Sequence, residues 1–306
     1  MLRFICMGLV LALAHNASAA ALPPPVVGGS RVPAGKWRDV VVVVARDSIC
    51  TGTLIAPDIV LTAGHCIESE PIEVITDSID YGLPNGGGDR IKVKWSRAYP
   101  RWEDRYDVGV IMLEHVARGR ARTVAAACST RELLVPGAPV HVVGFGLATS
   151  RGDDDNTTLR EADVPVIDPT CTTDSACQTS IAPHGEFVAG GSGTDSCFGD
   201  SGGPAYLETP DGPALVGVVS RGRARSGTPC GHGGVYVRAD KVVSWIQGVT
   251  GTRIARTSCG GKTDDEADSG DGGGCSAGMG GGFGALGCLA AIARRRRARR
   301  ATTEVS

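Results

Sequence analysis

Aromatic side chains make up only 5% of the 306 residues, and neither sign of charge prevails. There are 31 Lys and Arg against 33 Asp and Glu, a formal net charge of -2. That balance excludes a nucleic-acid binder of the usual basic kind. Few aromatics beside 44 Gly and 17 Pro argue against long packed helices and for short strands joined by turns. Long apolar runs are missing as well. The N-terminal run, residues 4–14, is too short for a membrane span, and the C-terminal one, 277–293, is Gly-rich and marginal. No C-x-x-C pair and no paired His spacing accompany the 11 cysteines, which excludes an ordinary zinc site. Strands do not alternate with helices, which argues against an α/β-hydrolase esterase.

What is present divides the chain into five segments. Residues 1–19 read as a signal peptide, with Arg3 as the basic start, an apolar centre and Ala17-Ser18-Ala19 before the cut. Residues 20–25 are a short Pro-rich propeptide. Residues 26–251 form a strand-rich domain, long enough for a sizeable core. Residues 252–274 are a Gly/Asp-rich linker, and 275–306 a tail that carries six arginines between Arg294 and Arg300. Cys6 falls in the signal, and Cys275 and Cys288 fall in the tail. Eight cysteines remain in the body, an even number that points to disulfides in an oxidising compartment.

The runs VVVVV (40–44), CTGTLI (50–55), IVLTA (59–63), IKVKW (91–95) and VGVIML (108–113) read as strands. So do PVHVVGFG (139–146), LREADVPVI (159–167), ALVGVVS (214–220) and GGVYVR (233–238). Their spacing predicts an all-β sandwich or a pair of barrels. One helix is expected near the end, with Asp240 capping KVVSWIQG and Gly251 just beyond it.

The segment DSCFGDSGGP (195–204) sets Ser201 between Asp200 and two glycines, with Asp195 six residues earlier. A serine hydroxyl is a weak nucleophile and needs a base, an orienter for that base and donors for an oxyanion. His65 in LTAGHC is the base candidate, set after a strand in a small-residue loop. A lone histidine is more often structural. Asp107 in YDVGVIML is the orienter candidate, against the plainer reading of a turn aspartate such as Asp104.

LTAGHC, DVGVIML and GDSGGP, in that order, resemble the trypsin/chymotrypsin family of serine proteases, from Val26 to about Val249. The resemblance implies two six-stranded antiparallel β-barrels with a short C-terminal helix. It implies His65 as base and acid, Asp107 as orienter, Ser201 as nucleophile, and the N–H groups of Gly199 and Ser201 as the oxyanion hole. Asp195 would lie at the base of the primary specificity pocket, walled by Gly222 and Gly234, and would select Arg or Lys in the substrate. Arg221 stands where the family usually has an aromatic residue, and is expected to favour acidic residues in the adjoining subsites. Phe198 stands at the pocket lip. Val26 resembles the mature N-terminus, whose freed amine would pair with Asp200. Pro25 before it is no trypsin-like cut site, so another peptidase must trim the lead.

The family pairs Cys50 with Cys66 and Cys197 with Cys230. Cys171 lacks its usual partner, which is Val188 here, and a local bridge to Cys177 replaces it. Cys128 and Cys259 are then left to tie the inter-barrel segment to the residues after the last helix. The tail from about 274 to 300 resembles the MYXO-CTERM family of sorting tails, which implies processing near Cys275 and display at the cell surface. The sequence thus predicts a secreted, surface-associated endopeptidase cleaving after Arg or Lys through an acyl-enzyme. Its expected partners are peptide or protein substrates, an activating peptidase, a sorting peptidase and a membrane held through the tail. It predicts no cofactor and no metal; the acidic loops 82–89 and 153–155 lack a calcium-ligand pattern. The competing expectation is a catalytically inactive trypsin-like binding domain.

Overall fold

The computed structural model describes residues 26–83, 87–149, 157–223 and 228–259. In chain order these form β1 (Ser30–Arg31), β2 (Val40–Ala45), β3 (Ile49–Ala56), β4 (Ile59–Thr62), α1 (Gly64–Glu68), β5 (Pro71–Thr76), β6 (Asp89–Ala98) and β7 (Gly109–Leu113). Then come α2 (Ala127–Leu133), β8 (Pro139–Gly144), β9 (Arg160–Asp168), β10 (Glu186–Ala189), β11 (Pro204–Thr209), β12 (Gly212–Gly222), β13 (Gly234–Arg238) and α3 (Val243–Thr250). The signal, propeptide, most of the linker and the sorting tail lie outside the described residues. Chain contacts divide the molecule after Asp268, so its second unit lies outside them as well. Among the described residues no helix is long and apolar enough to cross a membrane.

Strands β2-β3-β4-β7-β6-β5 close into one barrel. Strands β8-β9-β10-β13-β12-β11 close into a second, because β8 pairs with both β9 and β11, and β1 adds to β9. Every ladder is antiparallel, and the two six-stranded barrels are those the resemblance implied.

The valine run shows why the barrels meet. Neighbouring strand residues point to opposite faces. Val41 and Val43 fill the first barrel with Leu54, Val60, Val74 and Ile111. Val40 and Val42 face outward, yet they are as deeply buried, in a core shared with Val143, Phe145, Tyr206 and Val237 of the second barrel. A strand apolar on both faces is one covered on both. By contrast β9 alternates: Ala162, Val164 and Val166 point into the second barrel while Asp163, Pro165 and Ile167 face out. At the same seam Arg122 forms a bidentate pair with buried Asp39, at 2.6 and 2.9 Å, and lies over the Trp37 and Tyr206 rings.

Several elements differ from expectation. β5 (PIEVIT), β10 (EFVA) and β11 (PAYLET) are strands that the sequence reading passed over. β10 has only four residues, and β11 runs straight on from the GDSGGP loop. α2 was likewise unforeseen. Asp240 does not cap α3. Its carboxylate takes both hydrogen bonds of Arg238, at 2.7 and 2.9 Å, inside a 3-10 turn, and the helix starts later, after Val242. Gly251 ends the helix with φ 70°, a left-handed conformation that suits glycine. Four disulfides join Cys50 to Cys66, Cys128 to Cys259, Cys171 to Cys177 and Cys197 to Cys230.

Candidate active site

Antiparallel pairing builds the first part of the site. Thr62 at the end of β4 faces Gly109 at the start of β7. The chain leaving β4 therefore meets the chain entering β7, which brings His65 to Asp107. His65 is the second residue of α1 rather than part of a loop, a correction to the expected setting. Its Nδ1 lies 2.9 Å from Asp107 Oδ2 and 3.2 Å from Oδ1, and its backbone N–H donates to Oδ1 at 3.0 Å. Gly64 makes room, since a Cβ there would lie 2.8 Å from Trp102 and 3.1 Å from Asp107 Oδ1. Burial opposes ionisation of Asp107. The hydrogen bonds from His65 and from the Ser220 hydroxyl, at 2.7 Å, outweigh it and hold the carboxyl below its ordinary range. Ser220 escaped the sequence reading because nothing in SRG marks it. It enters through a bulge in β12, where Val219 faces Tyr236 but Arg221 faces Val235, so Ser220 is the extra residue.

Ser201 stands in a turn bent by Gly199 (φ 96°) and Gly202 (φ 79°). A Cβ on Gly202 would sit 2.0 Å from Thr62 Oγ1. Thr51, also unforeseen, anchors the turn: its N–H donates to the Ser201 carbonyl at 2.9 Å and its hydroxyl to the Gly199 carbonyl at 2.7 Å. Leu147 N–H donates to the Phe198 carbonyl at 2.8 Å. In a trans peptide the next N–H, that of Gly199, then points the other way. Among the described residues neither the Gly199 nor the Ser201 N–H donates to a protein acceptor. His65, Gly199 and Ser201 line one cleft of about 490 Å³ with Ser196, Arg221 and Gly222. The Ser201 hydroxyl makes no hydrogen bond to the imidazole here; such contacts often tighten only with substrate bound.

Beside that cleft Asp195 is 1% exposed. It accepts N–H bonds from Gly231 at 3.2 Å and Gly233 at 3.0 Å, and a longer one from the Ser196 hydroxyl at 3.5 Å. Burial prevails over these bonds and raises its pKa to about 6. A Cβ on Gly234 would lie 3.4 Å from Asp195 Oδ1, whereas one on Gly222 would meet only the Pro229 carbonyl, at 3.6 Å. Cys197–Cys230 joins the segments that carry Asp195 and Gly231. Phe198 is 62% exposed.

Arg221 lines the cleft, but its donors are directed into the protein. Its Nη1 and Nη2 donate to the two carboxylate oxygens of buried Glu186 at 2.8 and 2.9 Å. Nε and Nη2 donate to the Ala176 carbonyl at 2.9 and 2.6 Å, and Nη1 to Ser220 Oγ at 3.0 Å. A guanidinium has five N–H donors, and all five are used.

Asp200 is fully buried under Gly144 and Gly146, whose added Cβ atoms would lie 2.2 and 2.3 Å from its carboxyl group. It accepts from Gly146 N–H at 2.7 Å and Cys197 N–H at 2.8 Å, and burial raises its pKa to about 7. Among the described residues no cation pairs with it. Val26 is buried too, and Val27 bridges to Asp195 through its carbonyl at 2.9 Å. Among the described residues the one cluster with metal-ligand types is Cys50, His65 and Cys66, and both of its sulfurs are spent on a disulfide.

Comparison with known proteins gives a family match under the description Trypsin, over residues 26–246. Trypsin 5G1 of Aedes aegypti is 30% identical over 246 residues, 74% of this chain and 85% of that protein. Coagulation factor XII of Sus scrofa is 30% identical over 243 residues, and serine protease 56 of Homo sapiens 32% over 237. The chain spans only 39% and 38% of those two relatives.

Proposed function

The chain belongs to the trypsin family, whose substrates are peptides or proteins, and on that premise we propose that it is a serine endopeptidase cutting after Arg or Lys. In this reading Ser201 Oγ attacks the scissile carbonyl carbon while His65 Nε2 takes its proton. The N–H groups of Gly199 and Ser201 hold the oxyanion. His65 returns the proton to the leaving amine, an acyl-enzyme remains, and water releases it by the same route. Asp107 keeps Nδ1 protonated and steadies the imidazolium. Asp195 receives the guanidinium or ammonium of the substrate, and Gly222 and Gly234 leave it room. The observation that carries the reading is the His65–Asp107 pair opening onto the cleft that Ser201 lines.

The surrounding biology belongs to the same proposal. The N-terminal signal pattern and four disulfides support secretion into an oxidising compartment. Removal of residues 20–25 by another peptidase would free the Val26 amine for Asp200. The tail pattern supports cutting near Cys275 by a sorting peptidase and retention at the membrane or cell surface. A fluorophosphonate probe tests the chemistry on protein beginning at Val26. Labelling is expected on Ser201, absent in Ser201→Ala and at least 100-fold slower in His65→Ala. Folded protein that takes no label would be the inactive binding domain instead.

A further inference from the structure

The five spent donors of Arg221 lead from a buried carboxylate toward the proposed triad. We propose that Glu186 and Arg221 are a positioning pair: they orient the Ser220 hydroxyl toward Asp107 and so fix the His65–Asp107 hydrogen bond. The inference rests on the proposed endopeptidase reading and deepens it.

The geometry is continuous. Glu186, 1% exposed, opens β10, and its carboxylate grips the Arg221 fork at both ends. Gln178 N–H adds a bond to Glu186 Oε2 at 2.7 Å, so the carboxylate is held from the neighbouring loop as well. The second hydrogen of Nη1 reaches Ser220 Oγ at 3.0 Å, and Ser220 Oγ lies 2.7 Å from Asp107 Oδ2. A hydroxyl has one proton and two acceptor sites and rotates to suit its neighbours. The guanidinium can only donate, so it occupies an acceptor site of Ser220. The Ser220 proton is then left for Asp107, which as a carboxylate can only accept. Adjacent strand residues normally point apart. The bulge at Ser220 is what lets residues 220 and 221 bond to each other. Ala176 O, accepting from Nε and Nη2, closes the far side of the fork and ties it to the Cys171–Cys177 loop. An aromatic side chain at 221 would offer at most one N–H or O–H donor in place of these five.

The alternative role for Arg221 is a wall of the cleft that touches substrate directly. A double-mutant cycle separates the two. Ser220→Ala, Arg221→Met with Glu186→Met, and the triple variant are each made in protein beginning at Val26. The paired change removes both charges together, so no buried carboxylate is orphaned. Near-UV circular dichroism checks that each variant folds. If the pair acts through Ser220, Ser220→Ala and the paired change each lower kcat about tenfold with KM little changed, and the triple variant loses no more than either. The downfield proton resonance of His65 Nδ1–H should also shift in the paired variant. Multiplicative losses, or a loss confined to KM with the resonance unmoved, would overturn the positioning role while leaving the endopeptidase reading intact. A paired variant that cannot fold is replaced by Arg221→Lys, which keeps the charge but cannot span Glu186, Ala176 and Ser220 together; wild-type kcat and resonance there would equally overturn it. Wild-type protein that neither cleaves nor takes the fluorophosphonate label would remove the endopeptidase reading and this inference with it.

Discussion

Asp195 condenses the specificity question into one carboxyl group. Burial raises its pKa to about 6, so in the empty cleft it loses its proton late. A cation seated against it favours the ionised form. The inhibition constant of a small amidinium compound should therefore rise about tenfold per unit as pH falls below about 6, and level off above it. Asp195→Ser should remove that dependence and lower kcat/KM on Arg and Lys substrates about 10³-fold, since it unpairs a buried charge. The residue scale is also where the sequence was most and least legible. Three motifs pointed to His65, Asp107 and Ser201, through their order and their resemblance to the family. Ser220, Thr51 and Glu186 belong to no such motif. Thr51 reaches the Ser201 turn across 150 positions, Glu186 meets Arg221 across 35, and such pairings exist only once the barrels have closed. Arg221 stands out as a departure from the family, but its partners Glu186 and Ala176 lie in segments of ordinary composition.

Among the elements, the loop after β9 depends on one side chain. Asp168 accepts six hydrogen bonds, from the N–H groups of Thr170, Cys171, Thr172 and Thr173 and from the hydroxyls of Thr170 and Thr173. Burial opposes its ionisation, yet the bonds from Thr173 and Thr170 prevail and hold its carboxyl far below the usual range. The sign follows: a depressed carboxylate contributes stability above its unfolded pKa, lost as pH falls below about 4. Asp168→Ala should cost about 2–3 kcal/mol at pH 7 by urea unfolding, and less at pH 3. An equal cost at both values would mean that shape rather than charge holds the loop. Strands were legible where they were long and apolar, as in β2, β3 and β7. They were not where four residues suffice, as in β10, whose strand character comes from its neighbours β9 and β13.

For the whole molecule, the two barrels share one core, and the candidate site lies in the cleft beside it. An all-β fold was legible because strand-length apolar runs recur with turns between them, while the two barrels came from the resemblance; β2 is covered on one face by its own barrel and on the other by the second. The join between lead and domain poses the remaining question. Asp200 is buried with no cation beside it among the described residues, and its carboxyl is raised to about 7. A group raised in this way favours folding below its unfolded pKa and costs stability as pH rises through 7. In the unbroken chain Val26 N is an amide; freed, it becomes an ammonium that can pair with Asp200. That pairing and the Asp195 pocket are tested together. Protein made from Ala20 and protein made from Val26 should be assayed at pH 8 on peptides that differ only at the residue before the cut. Cleavage after Arg and Lys is expected from the Val26 form, at least 100-fold faster than from the Ala20 form, with neutral and acidic residues refused. Equal rates from both forms, or a folded Val26 form that ignores Arg and Lys, would contradict that expectation.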